Sequence, residues 1–86
     1  MNGQDSSCVA VFDSVHYVIR AEKLLSAHDV WCDLIPTPRE LSSQCGMSIE
    51  IRTADLHAAL ALLIDPALRL GGIYKITPEG PRRVDG

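Results

Sequence analysis

Met47–Arg52, MSIEIR, alternates without interruption. Met47, Ile49 and Ile51 point one way, and Ser48, Glu50 and Arg52 point the other. This period describes a strand with one covered face and one wetter face. Thr53 follows as a helix cap, with Asp55 in the first turn, where the helix dipole favours a carboxylate. Leu56, Ala59, Leu60 and Leu63 then recur at helical spacing and form a buried stripe. Pro66 ends this helix or starts a separate turn.

The same logic extends toward the N-terminus. Cys8–Phe12, CVAVF, reads as a buried strand. Asp13 or Ser14 offers an N-cap. From Val15 to about Ala27, Val18, Ala21 and Leu25 share a face with Tyr17 and Leu24 beside it, while Arg20, Lys23 and Ser26 fall on the polar side. Val30–Ile35, VWCDLI, is the second strand, and Gly71-Gly72 leads into a last one, Ile73–Ile76. The order βαββαβ predicts an α+β, ferredoxin-like fold: a four-stranded antiparallel sheet with two helices on one face. One domain over residues 7–77 is expected, with residues 1–6 and the Pro/Gly-rich 78–86 as mobile polar termini.

The bulk numbers agree with a small domain. The chain has 86 residues, and 47% hydrophobic content excludes wholesale disorder. Aromatics are only 5%, so the core must come from Val, Ile, Leu and Ala. Net charge is −3 with no basic stripe, which argues against nucleic acid. No apolar run reaches the roughly 18 residues a membrane span needs. The polar start MNGQDSS lacks the regions of a signal peptide, so a cytoplasmic location is expected.

Cys8, Cys32 and Cys45 are an odd set with no C-x-x-C pair, which argues for free thiols rather than a disulfide framework. Cys8 and Cys32 sit within apolar runs. Trp31, Phe12 and Cys8 either form a patch on the open sheet face that mediates a homodimer or, with the register shifted, belong to the core.

Pro36–Gly46, PTPRELSSQCG, is too long for a simple hairpin turn. Thr37-Pro38-Arg39-Glu40 has the form of a capping box with proline at the first helical position, and Gly46 suits a left-handed C-terminal cap. Residues 38–44 are thus either a short helix or an irregular loop. The topology brings Asp13–His16, this loop and Leu70–Gly72 to one end of the sheet. The N–H groups that open the first helix then lie near Cys45.

Ser42, Ser43 and Gly46 are expected to leave the Cys45 thiol accessible. Positive surroundings favour the reactive thiolate, and the start of the first helix and Arg39 are the candidates to supply them. A helix ending at Cys45 would work against this, and would turn Arg39 to its other side. His16 is a candidate proton acceptor or anion contact, as in Cys–His pairs, or else an ordinary helix histidine. Ser14 reads as an N-cap more than a nucleophile. Cys45 and His16 lack the further ligand spacing of a metal site, so no metal and no cofactor are expected.

The segments VFDSVHYVIRAEKLL, DLIPTPRELSSQCGMSI and GGIYKI resemble a family of small bacterial domains, the selenium/sulfur-carrier-like proteins. The resemblance covers roughly Cys8–Thr77, and the run IPTPRELSSQCG is its most specific element. Val15 departs from the family's usual pattern before the histidine. The matching positions are His16, Pro36, Thr37, Pro38, Arg39, Ser42, Ser43, Cys45 and Gly46. The resemblance implies that Cys45 carries sulfur or selenium as a persulfide or selenosulfide and works with sulfur- or selenium-handling enzymes. It implies a carrier or accessory protein more than a stand-alone enzyme. Arg39, His16, Ser42 or Ser43 and helix N–H groups are the contacts for the terminal anion. The Cys-Pro-x-Pro motif of well-known sulfur carriers is absent, because the prolines here precede the cysteine. The alternatives are a non-enzymatic ligand-binding or interaction module with a redox-sensitive cysteine, and a small hydrolase using Cys45 and His16, which lacks an evident third orienting residue.

Overall fold

The computed structural model describes residues 7–41 and 45–85. The chain runs β1 (Ser7–Phe12), α1 (Val15–Ala27), β2 (Cys32–Pro36), β3 (Met47–Arg52), a 3-10 turn (Thr53–Asp55), α2 (Leu56–Leu63), a second 3-10 turn (Pro66–Leu68), β4 (Leu70–Thr77) and β5 (Gly80–Arg83). The strands form one antiparallel sheet in the order β2-β3-β1-β4-β5. Among the described residues the architecture is α+β with two helices, and the expected four strands become five.

The helical periodicity of α1 buries Val18, Ala21 and Leu25, the stripe expected from spacing alone. Ala59 and Leu63 do the same for α2, flanked by the half-buried Leu56 and Leu60. Both stripes meet Cys8, Ala10 and Phe12 of β1, Ile49 and Ile51 of β3, and Ile73 of β4 in a single core. Both helices therefore cover one face of the sheet. Phe12 and Cys8 belong to this core, not to an open-face patch. Trp31 is exposed, with the Arg52 guanidinium 4.7 Å from its ring centre.

Among the described residues, no helix covers the opposite face. Val9, Val11 and Leu41 are buried there, with Ile35 and Tyr74 against them. Gly72 lies at φ 152° on this face, and a Cβ would stand 2.8 Å from Tyr74 Cε1, so both backbone and packing select glycine.

Two expected caps differ in their chemistry. Ser14 occupies the N-cap of α1, but its hydroxyl makes no capping bond, and its carbonyl accepts from the N–H groups of Tyr17 and Val18. The preceding Asp13 carboxylate accepts instead from Arg69 Nε at 3.0 Å, an exposed pair. Thr53 opens the 3-10 turn rather than capping α2, and its hydroxyl lies 3.4 Å from Cys8 Sγ. The turn itself satisfies the start of the helix, since the Leu56 N–H donates to the Thr53 carbonyl.

The fifth strand falls within the stretch expected to be a mobile tail. The Thr77 hydroxyl donates to the Gly80 carbonyl at 2.6 Å and accepts the Glu79 N–H at 3.2 Å, while Gly80 takes φ 116°. These bonds make TPEG a turn that returns the chain beside β4. Beyond the strand, the Val84 N–H donates to the Ile73 carbonyl at 2.8 Å. Asp85 accepts from the Ile73 N–H at 3.0 Å and from Arg83 Nε at 2.8 Å. Burial alone would raise the Asp85 carboxyl, but Arg83 and the Ile73 N–H together hold it below the ordinary carboxylate range. Residues 1–6 lie outside the described residues. Among the described residues, no helix is long and apolar enough to cross a membrane.

Candidate functional site

β1 and β2 both run antiparallel to β3, and β4 runs antiparallel to β1. The ends of β1 and β2 and the starts of β3 and β4 therefore share one end of the sheet. The start of α1 follows β1 there, and the 37–46 connection follows β2. This is the convergence that the βαββαβ order implies.

The connection is long because it serves both faces of the sheet. It leaves at Thr37 and closes at Gly46, where the Thr37 N–H donates to the Gly46 carbonyl at 2.9 Å. Pro38–Leu41 makes a single turn, with the Leu41 N–H donating to the Pro38 carbonyl at 3.0 Å. Leu41 then covers Val9 and Val11 on the helix-free face. Cys45 instead joins the core on the helix side. A two-residue turn spans neither the thickness of the sheet nor the gap between these two anchors.

Of residues 38–44, which the sequence leaves as either a short helix or an irregular loop, the described part is thus a turn held by a hydrophobic anchor. Ser42, Ser43 and Gln44 lie outside the described residues. Gly46 is exposed and is not among the residues at positive φ, so it is not a left-handed cap.

The Cys45 thiol differs most from expectation. It is 4% exposed and packs in the core cluster, whereas the polar composition of the loop predicts an accessible thiol. Composition describes the loop's average neighbours in sequence, and burial depends on where the loop returns. Among the described residues, Thr37 is an expected site residue that the fold brings to Cys45. Its hydroxyl donates to the Cys45 carbonyl at 2.9 Å and lies 2.7 Å from Ser48 Oγ. Ser48 is fully buried. Thr37 therefore clamps the backbone that presents the thiol and also satisfies a buried hydroxyl.

Among the described residues, the candidates His16, Arg39 and Ser14 are less buried than Cys45. His16 is exposed in the first turn of α1, with its ring edge-on to Tyr17 at 5.4 Å. Arg39 is exposed in the Pro38–Leu41 turn. Ser14 sits at the α1 N-cap. Two residues of the site escaped the sequence reading. Leu41 is the lone large aliphatic residue in a polar loop, and that isolation was its signal. Ser48 is a small hydroxyl at an outward strand position and carried no signal.

Among the described residues, no disulfide forms. Cys8 and Cys32 both pair with Ile51 from its two sides, so a whole strand separates them. Cys32 is half-buried on the outer strand. Burial pushes its thiol up, and the nearby Glu22 and Asp33 carboxylates push the same way against a Ser26 contact that lowers it. A raised thiol is a poor nucleophile at neutral pH. Among the described residues, no group of His, Cys, Asp or Glu is placed to hold a metal.

The clamp is testable. Thr37→Val removes both hydroxyl bonds and leaves the buried Ser48 hydroxyl unpaired, so it is expected to cost about 1–3 kcal/mol. Ser48→Ala relieves that orphan. In denaturant unfolding, the Thr37→Val/Ser48→Ala double variant should then lose less than the sum of the single losses. Strict additivity would show that the pair is not coupled.

No curated protein and no solved structure matches the chain. A family model does, under the description "Putative Se/S carrier protein-like", and its match over residues 7–75 spans β1 through most of β4, including the Thr37–Cys45 clamp. The chain belongs to that family.

Proposed function

We propose that the protein is a thiol-dependent carrier of sulfur or selenium in which Cys45 holds the transferred atom. The observation that carries this reading is a cysteine whose backbone is clamped by Thr37, at the sheet end where α1 begins, in a chain of this family. The scaffold reads as ferredoxin-like, because β2-β3-β1-β4 follow the split βαβ arrangement, with β5 added at one edge.

The chemistry needs no external oxidant. The Cys45 thiolate attacks the terminal sulfur of a donor enzyme's persulfide. A new S–S bond forms on Cys45, the donor's S–S bond breaks, and the donor leaves as a thiolate. An acceptor nucleophile then takes the terminal sulfur and returns Cys45 to the thiolate. Selenium follows the same course through a selenosulfide. Burial would shield the terminal atom from solvent thiols between the two steps. Delivery then requires the 37–46 connection to open, with Arg39 at its exposed turn available to the anion.

Burial also favours a second reading, in which Cys45 is a packing residue of an interaction module and responds only to oxidants that open the loop. One experiment separates the two. The chain is mixed with an enzyme persulfide bearing labelled sulfur, or its selenium counterpart, and the product is mapped by mass. The carrier reading expects one added atom on Cys45, lost in Cys45→Ser. Equal labelling of Cys45→Ser, or labelling confined to Cys8 or Cys32, would refute it.

A further inference from the structure

β2 is one edge of the sheet and β5 is the other. The β5 edge, GPRR, carries Pro81 and two arginines, which oppose strand addition. The β2 edge has a different character. Thr37 donates its N–H inward to Gly46, so in the alternating antiparallel pattern Pro36, Leu34 and Cys32 turn their backbone groups outward. Pro36 lacks an N–H on that free side but keeps its carbonyl.

Large apolar side chains border the edge. Leu34 is 40% exposed, Ile19 43% and Val15 49%. The side of α1 facing β2 is marked by Glu22 and Ser26, which contact Cys32. Val15 and Ile19 lie on that same side by helical spacing. They continue it along β2 toward Leu34 and Pro36, because the helix and the strand run in opposite directions.

We propose that the occupant of this edge is a second copy of the chain, paired antiparallel through β2 on a two-fold axis at Leu34. The two five-stranded sheets then become continuous. In this register Leu34 exchanges N–H···O=C bonds with Leu34 of the second copy, and each Cys32 N–H donates to the opposite Pro36 carbonyl. The Leu34 side chains meet across the axis, with Val15 and Ile19 of each copy beside them.

Charge selects both the register and the occupant. Centring the pair on Asp33 would set two carboxylates directly opposite each other, which is destabilising. Centring it on Leu34 sets Asp33 against Ile35. It also brings the exposed His28-Asp29 turn that precedes β2 in one copy toward the exposed Arg39-Glu40 turn that follows β2 in the other, so that Asp29 and His28 come near Arg39 and Glu40. The edge is thus complementary to itself reversed. Each α1–β2 turn would also abut the turn that opens the Cys45 loop of the other copy.

Sedimentation equilibrium of the full chain, up to millimolar concentration, is expected to show a dimer. Leu34→Lys should weaken it on the order of tenfold or more. Arg39→Asp should weaken it severalfold, and adding Asp29→Arg should restore it. All three positions are exposed, so these variants should fold. A monomer at millimolar concentration would overturn the proposal. So would a dimer indifferent to Leu34→Lys, or a double charge variant no tighter than Arg39→Asp alone.

Discussion

Cys45 in the native protein is expected to react with a small neutral alkylating reagent on the order of a hundredfold more slowly than in denaturant. The thiol is 4% exposed, so a reagent must wait for the connection to open. Among the described residues, two anchors hold it against opening: Leu41 on Val9 and Val11, and the Thr37 bonds to the Cys45 and Gly46 carbonyls. Local openings of this kind cost a few kcal/mol, and each 1.4 kcal/mol is a factor of ten. Leu41→Ala should therefore accelerate alkylation of Cys45 while leaving Cys8, deep in β1, protected. Time-resolved alkylation with peptide mass mapping makes the comparison within one sample. Native labelling of Cys45 as fast as in denaturant would show the thiol to be open. A donor enzyme that raised the rate would tie loop opening to transfer.

Ile49→Ala is expected to cost about 2–5 kcal/mol. Ile49 is fully buried, lies in β3 between Ala10 and Leu34 on the neighbouring strands, and shares its core with Cys45. Truncation loses the transfer energy of the removed atoms and leaves a cavity that a two-layer fold cannot readily collapse. At roughly 0.05–0.15 kcal/mol per residue, that is a large share of this domain's stability. The melting temperature should fall by roughly 8–40 °C, at about 4–8 °C per kcal/mol. Ile64→Ala is the control. Ile64 is 64% exposed just past α2, and its truncation should stay within about 0.5 kcal/mol. Thermal unfolding of the two variants tests the assignment of the core. Equal losses would mean that the two isoleucines are equally buried.

Much of this molecule is legible from local pattern. The spacing of Val18, Ala21 and Leu25 and the alternation of Met47–Arg52 each commit a face without reference to the rest of the chain. Helical and extended periods are properties of neighbouring residues, and the order βαββαβ follows from them. Thr77-Pro78-Glu79-Gly80 was equally local, since threonine, proline and glycine are turn chemistry. Its message was obscured because a Pro/Gly-rich terminal stretch also fits a mobile tail. Bonds from Val84 and Asp85 to Ile73, several residues back, decide for the strand.

The 37–46 connection marks the boundary between the two kinds of information. That it is long, that it carries Cys45 and that it opens at the sheet end where α1 begins all follow from residue order. That Leu41 covers one face while Cys45 is buried behind the other, and that Thr37 joins the two ends, follows from the packing of the whole domain. Burial is a relation between segments distant along the chain. A polar loop acquires a buried thiol when its two ends are fixed by strands and its middle is anchored across the sheet, and no window of neighbouring residues contains that constraint.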